Sequence, residues 1–381
     1  MSYNLRSGNF ENQNQYKLKY LENNLYKNRI YTYEQFEKVF SYLNDKKLTL
    51  ASVLESLSNI TMNKNNQFDL NQKNAKYEAI DCSASKFSEV FKLFIGDKCL
   101  MVYKYPNHRA KYEFEFKDEF LHEIFVGVIL NKLRPYVPNF VYTYGYEETN
   151  EDHCNPYIIF LENIPNSDLL ENYIPKLSKI EFFVIFLQIL NALNLAYEEY
   201  SFCHYDLHDG NILIQKIEFP FSYKLYIDGK VKKIKTNYLA KIIDFGQSYV
   251  KFNNKSFGVY NRDELKVYNY KSRPINDIYK LLCFSGYTAK ESNNLEVYNL
   301  ISRIYQLFDQ KGKLDDRINF FKNNVTEMEI DGEIILDVND GFNYGEYDFN
   351  SKHKKNYLVK DYKHSELLQI IANEFPEYSI L

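Results

Sequence analysis

The chain has 381 residues, 45% hydrophobic and 26% charged, with a net charge of −4. That balance excludes a disordered chain, and 47 Lys plus Arg against 51 Asp plus Glu excludes the strongly basic footprint of a chain-wide nucleic-acid binder. The length allows two or three domains with a substantial core. The abundance of Asn, Lys, Ile and Tyr reads as the codon bias of an AT-rich genome. Cys82, Cys99, Cys154, Cys203 and Cys283 lie far apart with no C-x-x-C pair, so neither a disulfide framework nor a zinc cluster is expected. Met1 to Gln15 is polar, without the apolar run of a signal peptide. A soluble, intracellular and cytoplasmic protein is the expectation, and no signal sets its oligomeric state.

Residues 16–60 are expected to be helical, because Tyr20, Leu21, Leu25 and then Phe36, Val39, Phe40 and Leu43 recur three and four apart. The Asn- and Gln-rich stretch 63–76 reads as a polar linker. Glu89–Phe94 and Lys98–Lys104 alternate around Gly96-Asp97, which predicts a hairpin. A helix is expected over 113–134, ending before Pro135, then strands near Phe140–Tyr144 and Tyr157–Leu161. Beyond Glu162 long helices follow, the first over 180–200. The longest apolar run, Phe182 to Ala196, is interrupted by Gln188, Asn191 and Asn194 and falls short of the roughly 20 residues of a membrane span. No membrane contact is expected.

The most informative stretch is His204-Tyr-Asp206-Leu-His-Asp-Gly-Asn211-Ile-Leu-Ile214, a loop running into a strand. Downstream, Ala240-Lys-Ile-Ile-Asp244-Phe-Gly246 reads as a buried strand, a carboxylate and a glycine that lets the chain turn sharply. Two carboxylates and an amide oxygen converging on one site suit hard Mg²⁺ ions. Phosphoryl transfer needs such ions, plus one carboxylate to orient the accepting hydroxyl.

These residues closely resemble the catalytic loop and D-F-G motif of the protein-kinase superfamily, and the two together, in order, are far more specific than either alone. The resemblance covers about 80–310 and implies an α+β, two-lobed fold: a small antiparallel-sheet lobe over 76–163 and a large helical lobe over 164–381, with insertions at 215–238 and 323–363. Residues 1–75 would be a helical extension with its linker. The resemblance implies ATP and Mg²⁺ as cofactors and a protein substrate as partner. Asp206 would be the catalytic carboxylate, with Asn211 and Asp244 holding metal. Leu100-Met-Val-Tyr-Lys104 looks like the strand whose lysine clamps the α- and β-phosphates, and Glu123 would be its ion-pair partner, with Glu119 one turn earlier as the alternative. Tyr157–Ile164 resembles the last small-lobe strand and hinge. Leu161 would guard the pocket, Glu162 and Ile164 would meet the adenine edge, and Val90 and Leu213 would sandwich the base, with Ile243 nearby. Asp277, in Arg273-Pro-Ile-Asn-Asp277, looks like the acid that braces the catalytic loop.

The departures are specific. Ser83-Ala-Ser85-Lys-Phe87-Ser88-Glu-Val90 fits the Gly-rich phosphate loop only if its three glycines have become Ser83, Ser85 and Ser88, which lack glycine's positive-φ freedom. The arginine before the catalytic aspartate is Tyr205, which removes the partner of an activation-segment phosphate. The residue two after it is His208 instead of the lysine usual in Ser/Thr kinases. Ile227-Asp-Gly-Lys230 signals a hairpin within an interval from Asp206 to Asp244 longer than usual. Lys230, Lys232, Lys233 and Lys235 read as its solvated face. The motif set resembles haspin-like kinases and those of large DNA viruses, which would place the protein in host cytoplasm or virion. A Ser/Thr protein kinase is the expectation. A small-molecule kinase of the aminoglycoside or choline type is the rival, because D-L-H-x-G-N also occurs there, and a pseudokinase scaffold is the second rival.

Overall fold

The computed structural model describes residues 75–80, 88–95, 98–106, 114–134, 136–148, 157–227, 230–258, 274–307, 313–324, 326–330, 333–337 and 363–375. The helices expected in 16–60, most of the linker, and Ser83 and Ser85 lie outside them. The described residues divide into two units, one of 75–132, 141–164 and 257–258 and one of the remainder.

In the first unit, β1 (Ala75–Ile80), β2 (Ser88–Ile95), β3 (Lys98–Pro106), β4 (Thr143–Glu148) and β5 (Tyr157–Glu162) form an antiparallel sheet in the order β1-β2-β3-β5-β4. One helix, α1 (Phe114–Leu130), lies between β3 and β4 in the chain. From Phe120 to Leu130 it is buried on all sides, as expected of a helix whose residues are mostly apolar all round. Gly127 permits its closest approach to the sheet, since a Cβ there would lie 2.1 Å from Thr143 Oγ1. The strand expected near Phe140–Tyr144 starts only at Thr143. Phe140 and Val141 are apolar because they are buried, and Phe140 belongs to the second unit, where it makes an isolated bridge with Ile242.

The second unit contains a sheet ordered β6 (Ser167–Leu169), β7 (Ile212–Ile227), β8 (Lys230–Ile242). Its helices are α2 (Leu170–Tyr173), α3 (Lys179–Tyr200), α4 (Pro274–Glu291), α5 (Leu295–Gln306), α6 (Leu314–Asn324) and α7 (His364–Glu374). Two short hairpins, β9 (Tyr249–Phe252) with β10 (Lys255–Gly258) and β11 (Thr326–Ile330) with β12 (Glu333–Asp337), complete the described strands. The α+β composition matches the sequence expectation.

α3 starts on a capping box in which Ser178 Oγ accepts from the Glu181 amide at 3.3 Å and Glu181 Oε2 accepts from the Ser178 amide at 2.9 Å. Its 22 residues are long and apolar enough to cross a membrane by length and composition, contrary to the expectation from its interrupted apolar run, but most of that stretch is buried inside the protein. Two of the interrupting polar residues join α3 to the β7–β8 hairpin. Gln188 Nε2 donates to Tyr238 O at 2.8 Å, and its Oε1 accepts from the Ala240 amide at 3.2 Å. Asn191 Nδ2 donates to the Tyr223 hydroxyl at 3.1 Å, and its Oδ1 accepts from the Tyr226 amide at 2.8 Å. Tyr223 donates in turn to Asn139 Oδ1 at 2.6 Å. Buried amides satisfied in this way fix one register, because any slip would orphan them.

The hairpin expected at Ile227–Lys230 joins β7 to β8, with those two residues as the last pair of the ladder. The residues of the expected insertion 215–238 lie within β7 and β8, whose near ends lead from Asn211 and toward Asp244. The register shifts between Lys216 and Phe221, around Pro220, which has no amide to donate. Lys230, Lys233 and Lys235 are exposed, and Lys232 is half-buried.

Candidate active site

In the second unit, the loop 204–211 is held from below by α4. The fully buried Asp277 accepts from the amides of His204 (Oδ2, 2.7 Å) and Tyr205 (Oδ1, 2.7 Å). Those bonds fix Tyr205 at φ 63°, a left-handed conformation a bulky residue rarely adopts. The Tyr205 ring is buried with Cys203 and Tyr249, in the lobe interior. Burial pushes Asp277 up to about 7 against the pull of the two amides. The imidazole of His204 is also buried, which lowers its pKa, and its Nε2 lies 2.8 Å from Ile243 O. The neutral ring therefore donates from Nε2 and accepts the Asp206 amide at Nδ1, 3.3 Å away.

These contacts present the Asp206 side chain, which remains about a quarter exposed. Asn211 Nδ2 donates to Asp206 O at 2.8 Å and to Asp206 Oδ2 at 3.3 Å. Lys280 of α4 is ion-paired with Asp206 Oδ1. Partial burial alone would raise the Asp206 pKa, but Lys280 and, less strongly, His208 hold it down at about 2, so the carboxylate is ionised at neutral pH. The Ile243 amide donates to Asn211 O at 3.1 Å, which sets Asp244 in the residue immediately after a direct bond to the Asn211 backbone. The turn expected at Gly246 is present over residues 246–247, closed by the Ser248 amide donating to Phe245 O at 3.1 Å, and Asp244 just before it adopts φ 63°, a conformation aspartate tolerates better than most residues. Phe245 is buried among Phe140, Phe202 and His204, so the segment between Asp244 and the turn is anchored in the core.

In the first unit, Lys104 Nζ lies 2.8 Å from Glu123 Oε2, with side-chain exposures of 11% and 5%. Lys104 stands opposite Val90 on β2 and Ile159 on β5, and its ammonium lies 5.7 Å from the Phe120 ring centroid, one turn before Glu123 on α1. The side chain of Glu119 lies outside the described residues. Ser88 is buried and Val90 half-buried. The Glu162 amide donates to Tyr142 O at 2.9 Å, so any adenine contact at Glu162 would use its carbonyl. Ile164 is buried at the end of this unit. Leu213 is half-buried on β7 of the other unit, paired with Leu169 and Lys241.

Among the described residues no group of three or more His, Cys, Asp or Glu could hold a metal ion. Asn211 and Asp244 still fit a cation shared with phosphate oxygens. The amide nitrogen of Asn211 is committed to Asp206, so its hard carbonyl oxygen is the end left for a cation, and Mg²⁺ commonly takes only one or two protein oxygens beside phosphate and water. Sequence reasoning passed over Lys280. Its signal was its place one turn after Asp277, on the same face of one helix. It also passed over Thr288, whose hydroxyl donates to the buried Asp209 at 2.6 Å. Burial pushes Asp209 up to about 7.

No family model matches the chain. Among curated proteins it is similar to probable kinase 098L of Invertebrate iridescent virus 3, at 32% identity over 198 residues, 52% of this chain and 36% of that protein. It is similar to uncharacterized protein 035R of the same virus at 28% identity, over 38% of this chain and 16% of that one. Uncharacterized protein 179R of Invertebrate iridescent virus 6 is 26% identical over 40% of this chain and 14% of its own length. The chain thus spans little more than a third of the first relative and less of the others. Among solved structures, the Rad53 kinase domain with SCD2 matches 64% of this chain and 79% of that one at 18% identity, with a TM-score of 0.34, too loose a likeness to carry weight. Over about half of its length the chain is thus similar to a probable kinase, at an identity that marks it as divergent.

Proposed function

We propose that this chain is an ATP-dependent protein kinase, which transfers the γ-phosphoryl group to Ser or Thr hydroxyls of protein substrates in host cytoplasm or virion. The observation that carries the reading is the Asp206 carboxylate: ionised, partly exposed, bonded by Asn211, and held on a loop that α4 clamps from beneath. The similarity to a probable kinase supports it.

In this reading the carboxylate of Asp206 accepts a hydrogen bond from the substrate hydroxyl and takes its proton as the hydroxyl oxygen bonds to the γ-phosphorus, with ADP leaving. Because Asp206 is a weak base, its main contribution is orientation, which suits a transfer whose catalysis is mostly positioning and charge stabilisation. Lys104, kept in place by Glu123, would hold the α- and β-phosphates. Ser83, Ser85 and Ser88 would cover them, and Val90, Glu162, Ile164 and Leu213 would receive the adenine. Asn211 and Asp244 would hold Mg²⁺, which when bound neutralises phosphate charge. Asp244→Asn is the direct test. It should lower phosphoryl transfer by about a thousandfold, since metal-borne charge stabilisation is worth several kcal/mol, while the far-ultraviolet circular dichroism stays that of the wild type. Near-wild-type transfer by this variant would overturn the mechanism.

A further inference from the structure

A catalytic loop of this kind carries, in the Ser/Thr kinases it resembles, a lysine two residues after the aspartate. Here that position is His208, whose ring makes no hydrogen bond to Asp206. His208 Nδ1 accepts the Gly210 amide at 3.1 Å, and its Nε2 lies 3.9 Å from Asp206 Oδ2, beyond hydrogen-bonding distance. The cation that does reach Asp206 comes from another element. Lys280 of α4 is 2% exposed, and its ammonium is bonded to Asp206 Oδ1. Among the described residues no other acceptor bonds this ammonium. The Phe284 ring, one turn on, has its centroid 5.9 Å from the same ammonium.

A lysine is almost never fully buried unless paired. A buried ion pair is weak evidence of a stabilising role, because desolvation cancels much of the attraction and apolar replacements often serve as well. The placement of this pair has a simpler account. Asp277 and Lys280 lie one turn apart on the same helix. The first bonds the amides of His204 and Tyr205, and the second bonds the side chain of the next residue, Asp206. One rigid helix therefore fixes both the backbone of the loop and the orientation of its reactive carboxylate. With Lys280 on Oδ1 and Asn211 Nδ2 on Oδ2, the carboxylate has little freedom to turn about its last bond.

We propose that Lys280 is a positioning residue for phosphoryl transfer, which supplies from α4 the cation that the catalytic loop lacks at His208. The inference rests on the kinase reading above. The test uses the full chain with MgATP and a mixed Ser/Thr peptide library, and compares wild type, Lys280→Met, Lys280→Arg, the double variant Lys280→Met/His208→Lys and Asp206→Asn. Lys280→Met should lower kcat about 100-fold while KM for ATP stays within about twofold, the signature of an interaction that matters in the transition state only. Lys280→Arg should restore at least about tenfold of the loss, and the double variant should recover part of it, because the cation returns to the same carboxylate from the loop side. A kcat for Lys280→Met within about threefold of wild type overturns the proposal. So does restoration of the thermal midpoint by Lys280→Arg with no restoration of kcat, which would make the pair structural. If Asp206→Asn is inactive while Lys280→Met is active, only this inference fails. If Asp206→Asn retains wild-type activity, or the wild type transfers no phosphate, the kinase reading itself fails and takes the inference with it.

Discussion

Asp277→Ala should unfasten the catalytic loop without touching it. Asp277 is fully buried and accepts two amide hydrogens at 2.7 Å each, from consecutive residues. Alanine leaves both amides without an acceptor in a dry setting, at about 1–3 kcal/mol each. Two effects oppose that loss. The variant no longer buries a carboxylate whose pKa is pushed up to about 7, and Tyr205, freed from its clamp, can relax from φ 63° and release about 1 kcal/mol of strain. The net expectation is a destabilisation of about 2 kcal/mol, at the low end of the sum for two orphaned donors. Urea unfolding measures that term, and hydrogen exchange localises it. The amides of His204 and Tyr205 should be protected in the wild type and exchange far faster in the variant. The loop that carries Asp206 loses its register with α4, so transfer should fall by about 100-fold. Unchanged protection of the two amides, together with stability within about 0.5 kcal/mol of wild type, would refute the reasoning.

The remaining predictions concern stability in acid and the phosphate loop. His364 is fully buried in α7, with its Nε2 donating to Pro274 O at 3.0 Å, and burial holds its pKa down at about 4. The unfolded chain, with His364 near its ordinary 6.5, binds the extra proton first. Stability should therefore fall as the pH drops from about 6.5 to 4, by roughly 3 kcal/mol in all. His364→Gln should flatten that part of the profile in denaturant titrations, and an unaltered profile would count against the assignment. Restoring glycine at Ser83, Ser85 and Ser88 together should tighten MgATP binding several-fold in calorimetry, because the loop regains positive-φ freedom near the phosphates. Unchanged affinity would mean that the phosphates are held elsewhere.

The parts of this molecule legible in the sequence are those written in local chemistry. Asp206, Asn211 and Asp244 stand out as candidates through short-range spacing next to apolar strands, and the Asp-Gly pair at 228–229 predicts the hairpin that β7 and β8 make. Other features depend on partners distant in the chain. Lys280 reads as one more helical lysine until the fold sets it against a carboxylate 74 residues away. Gln188 and Asn191 look like breaks in an apolar helix, yet they hold the backbone of a hairpin. The apolar run at Phe140 and Val141 imitates a strand because those residues are buried, while its pairing is limited to the single bridge from Phe140 to Ile242. Gly246 announced the turn that the chain makes at 246–247, whereas nothing local announced that Asp244, the functional candidate, would itself adopt a positive φ.

The central claim is that Asp206 directs phosphate from ATP onto a protein hydroxyl. The measurement that tests it most directly is transfer from γ-labelled ATP with Mg²⁺ by wild type and Asp206→Asn, with a peptide library, aminoglycosides and choline offered as acceptors. The account predicts label on Ser and Thr of peptides with the wild type, and a loss of at least about a thousandfold with the variant. Label on the small molecules alone, or equal transfer by wild type and variant, would contradict it.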